Sequence, residues 1–205
     1  MIKFIYTFKT LIVISLLVLS CESKDENIPN FPEISFKFDK SSSNVNFNVN
    51  KPWESIGIGY INVIKTDTLW HLWYESYDNN SRTTGKIDYN GYFCYAYSED
   101  GVNWKKPNLN LTEYKGNSNN NILISNNGIK NNSIHGVTVF IDSLAPPKER
   151  YKMVYTRWID SLSTKWIYGM VSQDGIHWRD ERLLLKQHSD TQTVGLVDKN
   201  GIYRL

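Results

Sequence analysis

One heptapeptide occurs twice in this chain. Ser98-Glu99-Asp100-Gly101-Val102-Asn103-Trp104 returns, 74 positions on, as Ser172-Gln173-Asp174-Gly175-Ile176-His177-Trp178. Ser, Asp, Gly, a β-branched residue and Trp keep their places in both copies. Asp-Gly between apolar runs specifies a tight turn, because Gly accepts a positive φ and Asp tolerates one. The Trp then opens the next strand and covers the turn. The flanks repeat as well. Strand-like runs precede the first copy at Ile56 to Ile64, Leu69 to Tyr77 and Tyr92 to Ser98. Others precede the second at Gly136 to Asp142, Tyr151 to Trp158 and Trp166 to Ser172. Thr, β-branched and aromatic residues dominate them, as strands prefer. Tyr151, Met153 and Tyr155 alternate with Lys152, Val154 and Thr156 at a period of two. Each unit reads strand, strand, strand, Asp-Gly turn, strand. A third unit opens at Thr193 to Asp198, turns at Lys199-Asn200-Gly201 and continues through Ile202 to Leu205.

Repeats of four antiparallel strands predict an all-β chain: a partial β-propeller of about two and a half four-stranded blades. A two-sheet sandwich is the alternative. The Asn-rich stretch from Asn117 to Asn132 reads as a loop between units. A closed propeller needs at least four blades, and the sequence stops inside an apolar strand with no capping turn, so a truncated reading frame is the expectation.

The first 21 residues differ from everything after them. Lys3 and Lys9 precede an apolar run from Leu11 to Leu19. That run is shorter than the roughly 20 residues that span a bilayer. It ends in Val18-Leu19-Ser20-Cys21, which resembles a bacterial lipobox. Residues 1–20 are therefore read as a lipoprotein signal peptide with Cys21 as the lipidated residue, an ordinary signal peptide being the alternative. Residues 21–50 are a polar tether, and residues 51–205 the blade region. Glu22 to Glu26 resembles the acidic export signal of surface lipoproteins, or is a soluble linker. The expected location is the cell envelope, reached through a lipid anchor.

Charge sets further limits. Lys plus Arg number 23 and Asp plus Glu 21. Without Lys3 and Lys9 the balance is zero, which argues against a nucleic-acid surface. Cys94, in an apolar strand, is expected as a small buried hydrophobe. No HExxH, zinc-type Cys pairing, Walker glycines, dinucleotide glycines or Gly-x-Ser-x-Gly elbow is present.

Several segments together resemble a known family. These are Pro52-Trp53-Glu54, Leu69 to Glu75, Cys94 to Pro107, Glu149 to Tyr155 and Ser172 to Trp178. They are similar to the five-bladed propeller glycoside hydrolases of the invertase, levansucrase and arabinanase type, over residues 51 to 205. The Asp-Gly-x-x-Trp turns also resemble the Asp boxes of sialidases, at a different spacing. The resemblance implies a central funnel where the innermost strand of each blade begins, with acids at those starts. Glycoside cleavage uses two carboxyl groups that flank the bond, one of them held protonated.

Carried onto this chain, the resemblance implies Glu54, His135 and Asp190 as catalytic residues. Glu54 stands where the family's nucleophile or base Asp would stand. His135 stands near a second Asp of many members, and Asp190 is the candidate acid where the family has Glu. Trp53 is expected to stack on a sugar ring, and Arg157 and Glu75 to reach the funnel rim. As alternatives, Glu54, His135 and Asp190 are surface or turn residues, and Arg157 and Glu75 are cross-strand charge partners. His71 is expected to be structural, and Asp100 and Asp174 to serve the turns. The expected partner is an oligosaccharide or polysaccharide, bound and hydrolysed or only bound, with an inactive truncated fragment as a further alternative. No metal or other cofactor is expected. Some related propellers hold Ca²⁺ in the funnel, but no acidic loop here calls for one.

Overall fold

The computed structural model describes residues 45–78, 91–125 and 134–205. Among the described residues, three antiparallel sheets follow one another. The first contains β1 (Gly57–Lys65), β2 (Trp70–Tyr77), β3 (Gly91–Ser98), β4 (Trp104–Lys105) and β5 (Ile122–Ser125). Its path is β1-β2-β3-β4, with β5 also paired to β3. The second is β6 (Ile134–Ile141), β7 (Tyr151–Ile159), β8 (Thr164–Ser172) and β9 (Arg179–Leu185), paired in that order. The third is the pair β10 (Leu196–Val197) and β11 (Tyr203–Arg204). The chain is all-β, with successive sheets of the kind that make propeller blades.

The two heptapeptides form equivalent turns at equivalent places. Trp70 lies opposite Ser98 in the first sheet, and Tyr151 opposite Ser172 in the second. In each turn the Asp carboxylate accepts two backbone N–H groups, from Val102 and Asn103 or from Ile176 and His177. The Ser hydroxyl accepts the N–H of Gly101 or Gly175. Both glycines have positive φ, at 76° and 75°.

The outer position of the first sheet departs from the four-strand expectation. It is filled twice, by β4 against the end of β3 and by β5 against its start. The pairing of Ile122 to Ser125 takes these residues out of the expected Asn-rich loop. Ile122 and Leu123 gain burial there, and Asn121 bonds Tyr95 O and the Tyr74 hydroxyl.

Alternate residues of β2 face opposite ways. Trp73 and Glu75 face the second sheet, where Trp73, Phe93 and Tyr95 pack with Val137, Val139, Tyr151, Met153 and Tyr155. Leu72 and Tyr74 face the other side and form a second cluster with Trp53, Cys94, Ala96, Tyr114 and Ile122. The Trp73 indole N–H donates to Gly175 O at 2.7 Å, which ties the first sheet to the turn of the second.

A Cβ on Gly175 would lie 2.6 Å from Trp73 Cζ2. Gly175→Ala should therefore cost about 2–3 kcal/mol from overpacking and left-handed backbone strain, read as a lower urea midpoint at unchanged slope. The turns also make stability depend on acid. Backbone N–H groups of Asn103 and Val102 and the Asn103 amide hold Asp100 well below the usual carboxylate range. Burial opposes the same shift at Asp174, but hydrogen bonds from His177, Ile176 and Ser172 outweigh it. A lowered folded pKa gives stability that is present above the unfolded value, near 3.9, and lost as pH falls below it. Thermal midpoints should fall below about pH 4, and the fall should be shallower in Asp174→Asn.

Candidate functional site

The inner strands β1 and β6 each break their ladder near the start, between Gly59 and Asn62 and between His135 and Thr138. Such bulges re-aim side chains. Tyr60 takes φ +48° and Gly136 φ +65°. A Cβ on Gly136 would meet Thr191 O at 2.6 Å, so glycine lets the backbone of the third unit lie against the second. Where the three units meet, Gly59, Tyr60, Tyr77, His135, Lys165, Asp190 and Thr191 line an open cleft of about 520 Å³.

Glu75 and His135 join across the two sheets. Glu75 Oε2 lies 3.2 Å from His135 Nδ1 and accepts the Tyr77 hydroxyl at 2.8 Å. Its Oε1 accepts the Val137 N–H at 3.1 Å. The carboxylate is 1% exposed and so positioned by three partners. His135 Nε2 lies 3.3 Å from the Tyr60 hydroxyl, with the two rings edge to face at 4.8 Å. Asn62 fixes the same junction: its amide donates to Val137 O at 2.9 Å and accepts Val139 N–H at 3.3 Å. Gln192 also donates to Val137 O, at 2.8 Å.

On the third side, Lys165 Nζ lies 2.7 Å from Asp190 Oδ1 and 3.1 Å from Asp190 O. The Lys165 ammonium holds the Asp190 carboxyl below its ordinary range, with smaller help from His188 and His135. Asp190 is thus held ionised, as a hydrogen-bond acceptor. The donor role expected of an acid needs the opposite shift.

His135 and Asp190 therefore share a cleft, and Glu75 stands behind His135. Glu54 does not join them. It closes a 3-10 turn at Pro52–Glu54, on the far face of the first sheet. Its Oε1 accepts the Tyr74 hydroxyl at 2.6 Å, and Oε2 accepts the N–H groups of Asn50 and Lys51 at 3.0 Å. Lys106 Nζ reaches both oxygens at 2.7 Å and lies over the Phe47 ring. The Glu54 side chain is wholly enclosed. Tyr74 and Glu75 are neighbours on β2 and point to opposite faces, so the carboxylate bound to Tyr74 is turned away from the cleft.

Trp53 is also enclosed, at 7% exposure. Its indole donates to Asn121 Oδ1, and its ring meets Tyr114 edge-on. A ring so covered cannot stack on a sugar, which corrects that expectation. Arg157 is absent from the cleft lining. Its guanidinium pairs with Glu181 at 2.5 Å and lies over Tyr168. Cys94 is fully buried, and burial pushes its thiol pKa up. His71 bonds the Tyr95 hydroxyl at 2.7 Å and stacks on Trp73; burial, then Arg150, lowers its pKa. Cys21 lies outside the described residues.

Tyr60, Tyr77, Lys165 and Thr191 are cleft residues that the strand pattern does not mark. The adjacent glycines Gly57 and Gly59 were the available signal for a broken ladder at Tyr60. Lys165 needs the register of β8 before it can be placed. Among the described residues, no group of three or more His, Cys, Asp and Glu side chains forms a metal-ligand set.

Lys106→Met should expose what the Glu54 pair does. It leaves a carboxylate enclosed without its cation, at a cost of about 3–5 kcal/mol, measured by urea unfolding. The double variant Glu54→Gln/Lys106→Met should recover much of that loss.

No family model matches the chain, and no curated protein matches it. Among solved structures, it is similar to the crystal structure of an N-acetylgalactosamine deacetylase from F. plautii in complex with blood group B trisaccharide. Identity is 11% and the TM-score 0.42, over 72% of this chain and 39% of that one. The chain thus spans about two fifths of that structure's length, in a likeness too slight to carry fold or chemistry.

Proposed function

We propose that the cleft takes an oligosaccharide or polysaccharide, and that the protein is a glycoside hydrolase-like, carbohydrate-active lipoprotein. The observation that carries this reading is the meeting of three successive units at one open cleft lined by phenols, an imidazole, an ammonium and a carboxylate. A sugar offers hydroxyls to polar groups and C–H faces to rings. Tyr60 and Tyr77 take the part first assigned to Trp53. Asp190 and Lys165 take hydroxyls as a fixed acceptor and donor. Glu75 orients His135 for proton transfer, as a carboxylate behind an imidazole does in other acid–base sites. Cys21 carries the lipid that holds the protein at the cell envelope.

A second reading, a glycan-binding lipoprotein without turnover, draws on one specific observation. Of the carboxylates considered, Glu54 is turned away and Glu75 is buried behind His135, so Asp190 is the one on the cleft wall. Hydrolysis through two carboxyl groups needs both beside the bond.

A panel of plant, algal and bacterial glycans separates the readings. Hydrolysis predicts released sugar, with kcat/KM lowered about 10²- to 10⁴-fold in His135→Ala and sharply reduced in Asp190→Asn. Folded Glu54→Gln should keep its turnover. Turnover untouched by both cleft substitutions would remove the site assignment. Saturable binding without product would establish the second reading.

A further inference from the structure

We propose that Tyr60 is a base-activated nucleophile, the outermost member of a Glu75–His135–Tyr60 chain, and that it attacks the anomeric carbon of the sugar in the cleft. The identity of that electrophile rests on the carbohydrate reading; the activation of Tyr60 does not.

Three observations converge on this residue. Glu75 lies against His135 Nδ1 at 3.2 Å, and it is itself fixed by Val137 N–H and the Tyr77 hydroxyl. With Nδ1–H donated to Glu75, the lone pair of His135 lies on Nε2. The Tyr60 hydroxyl is 3.3 Å from that atom, and in this tautomer it is the donor. Tyr60 also holds φ +48° at a break in β1. Left-handed backbone is costly for an aromatic residue, and strain of this kind gathers at functional sites. Finally, Tyr60 lines the cleft.

Two other acid-linked tyrosines lie away from the cleft. Tyr74 and Tyr155 donate directly to Glu54 and Glu181. Both are fully buried, and burial drives their phenol pKa values up. They are built to keep their protons. Tyr60 instead faces a ring nitrogen that can take one, with a carboxylate behind it to receive the resulting charge.

The step balances as follows. The Tyr60 proton passes to His135 Nε2, and the phenolate oxygen bonds the anomeric carbon. The bond to the leaving sugar breaks, and its oxygen takes a proton from the Lys165 ammonium in the same cleft. Water returns that proton to Lys165 and, as hydroxide, displaces Tyr60 from the glycosyl group. His135 then reprotonates the phenolate.

Phenylmethanesulfonyl fluoride tests the activation without any glycan. The phenolate oxygen bonds sulfur, fluoride leaves and His135 retains the proton. Mass mapping of the full chain should find Tyr60 labelled about 100-fold faster than N-acetyltyrosinamide. The advantage should vanish in His135→Gln and in the near-isosteric Glu75→Gln, each with an unchanged circular dichroism spectrum. Tyr60→Phe should lose the label at that peptide. Labelling indifferent to His135 and Glu75, or no faster than the free amide, overturns the proposal and leaves the carbohydrate reading standing. A panel of 2-deoxy-2-fluoroglycosyl fluorides tests the electrophile: a glycosyl adduct on Tyr60 supports it, whereas an adduct on Asp190, or none, overturns that half.

Discussion

The indole of Trp73 against the turn at Gly175 is the contact on which the arrangement depends. One hydrogen bond of 2.7 Å and one missing Cβ let the first sheet lie directly on the second. That seating buries Phe93, Tyr95, Val137 and Met153 between the sheets. It also sets the starts of β1 and β6 side by side. The reach of Glu75 into the second sheet, and of Asn62 to Val137 and Val139, follows from that proximity. The cleft is a product of sheet packing before it is a product of its own residues.

Two glutamates show how the two faces of one sheet can separate structure from chemistry. Glu54 and Glu75 are both almost fully enclosed. Glu54 is closed in by Lys106, Tyr74 and two backbone N–H groups, all on the far face of the first sheet. Glu75 meets an imidazole that lines an open cleft. Burial of a carboxylate is common to both. What it faces, a cation locked in place or a proton carrier beside open space, separates them.

The sequence made the blades legible because their signals are local. Ser98 to Trp104 and Ser172 to Trp178 carry within seven residues the Asp acceptor and the Gly that their turns need. The strands flanking them have a strong composition. Joins between distant segments were not legible. Glu54 meets Lys106 across 52 positions, and Glu75 meets His135 across 60. Composition around Glu54, a Trp beside an acid, suggests a sugar site, yet both side chains are spent on the first sheet's own core. The family resemblance groups Glu54, His135 and Asp190, and of these His135 and Asp190 share the cleft. Tyr60 is not legible, because its aim depends on a break in β1 that a hydrophobic pattern does not reveal. Likewise β5 is a short apolar run, Ile122 to Ser125, set in an Asn-rich stretch, and its place depends on the bonds that Asn120 and Asn121 make.

The turns at Asp100 and Asp174 have a consequence for the order in which this molecule assembles. Their hydrogen bonds close within three residues along the chain, and contacts so local form fast. Trp73 and Gly175 stand 102 residues apart, so their meeting carries the entropy of a long closed loop. Each hairpin can therefore seed its own sheet while the other is still being made, and the seam between sheets is the late event. A ribosome would release the first sheet with its Trp73 face uncovered, waiting on the synthesis of the turn that receives it.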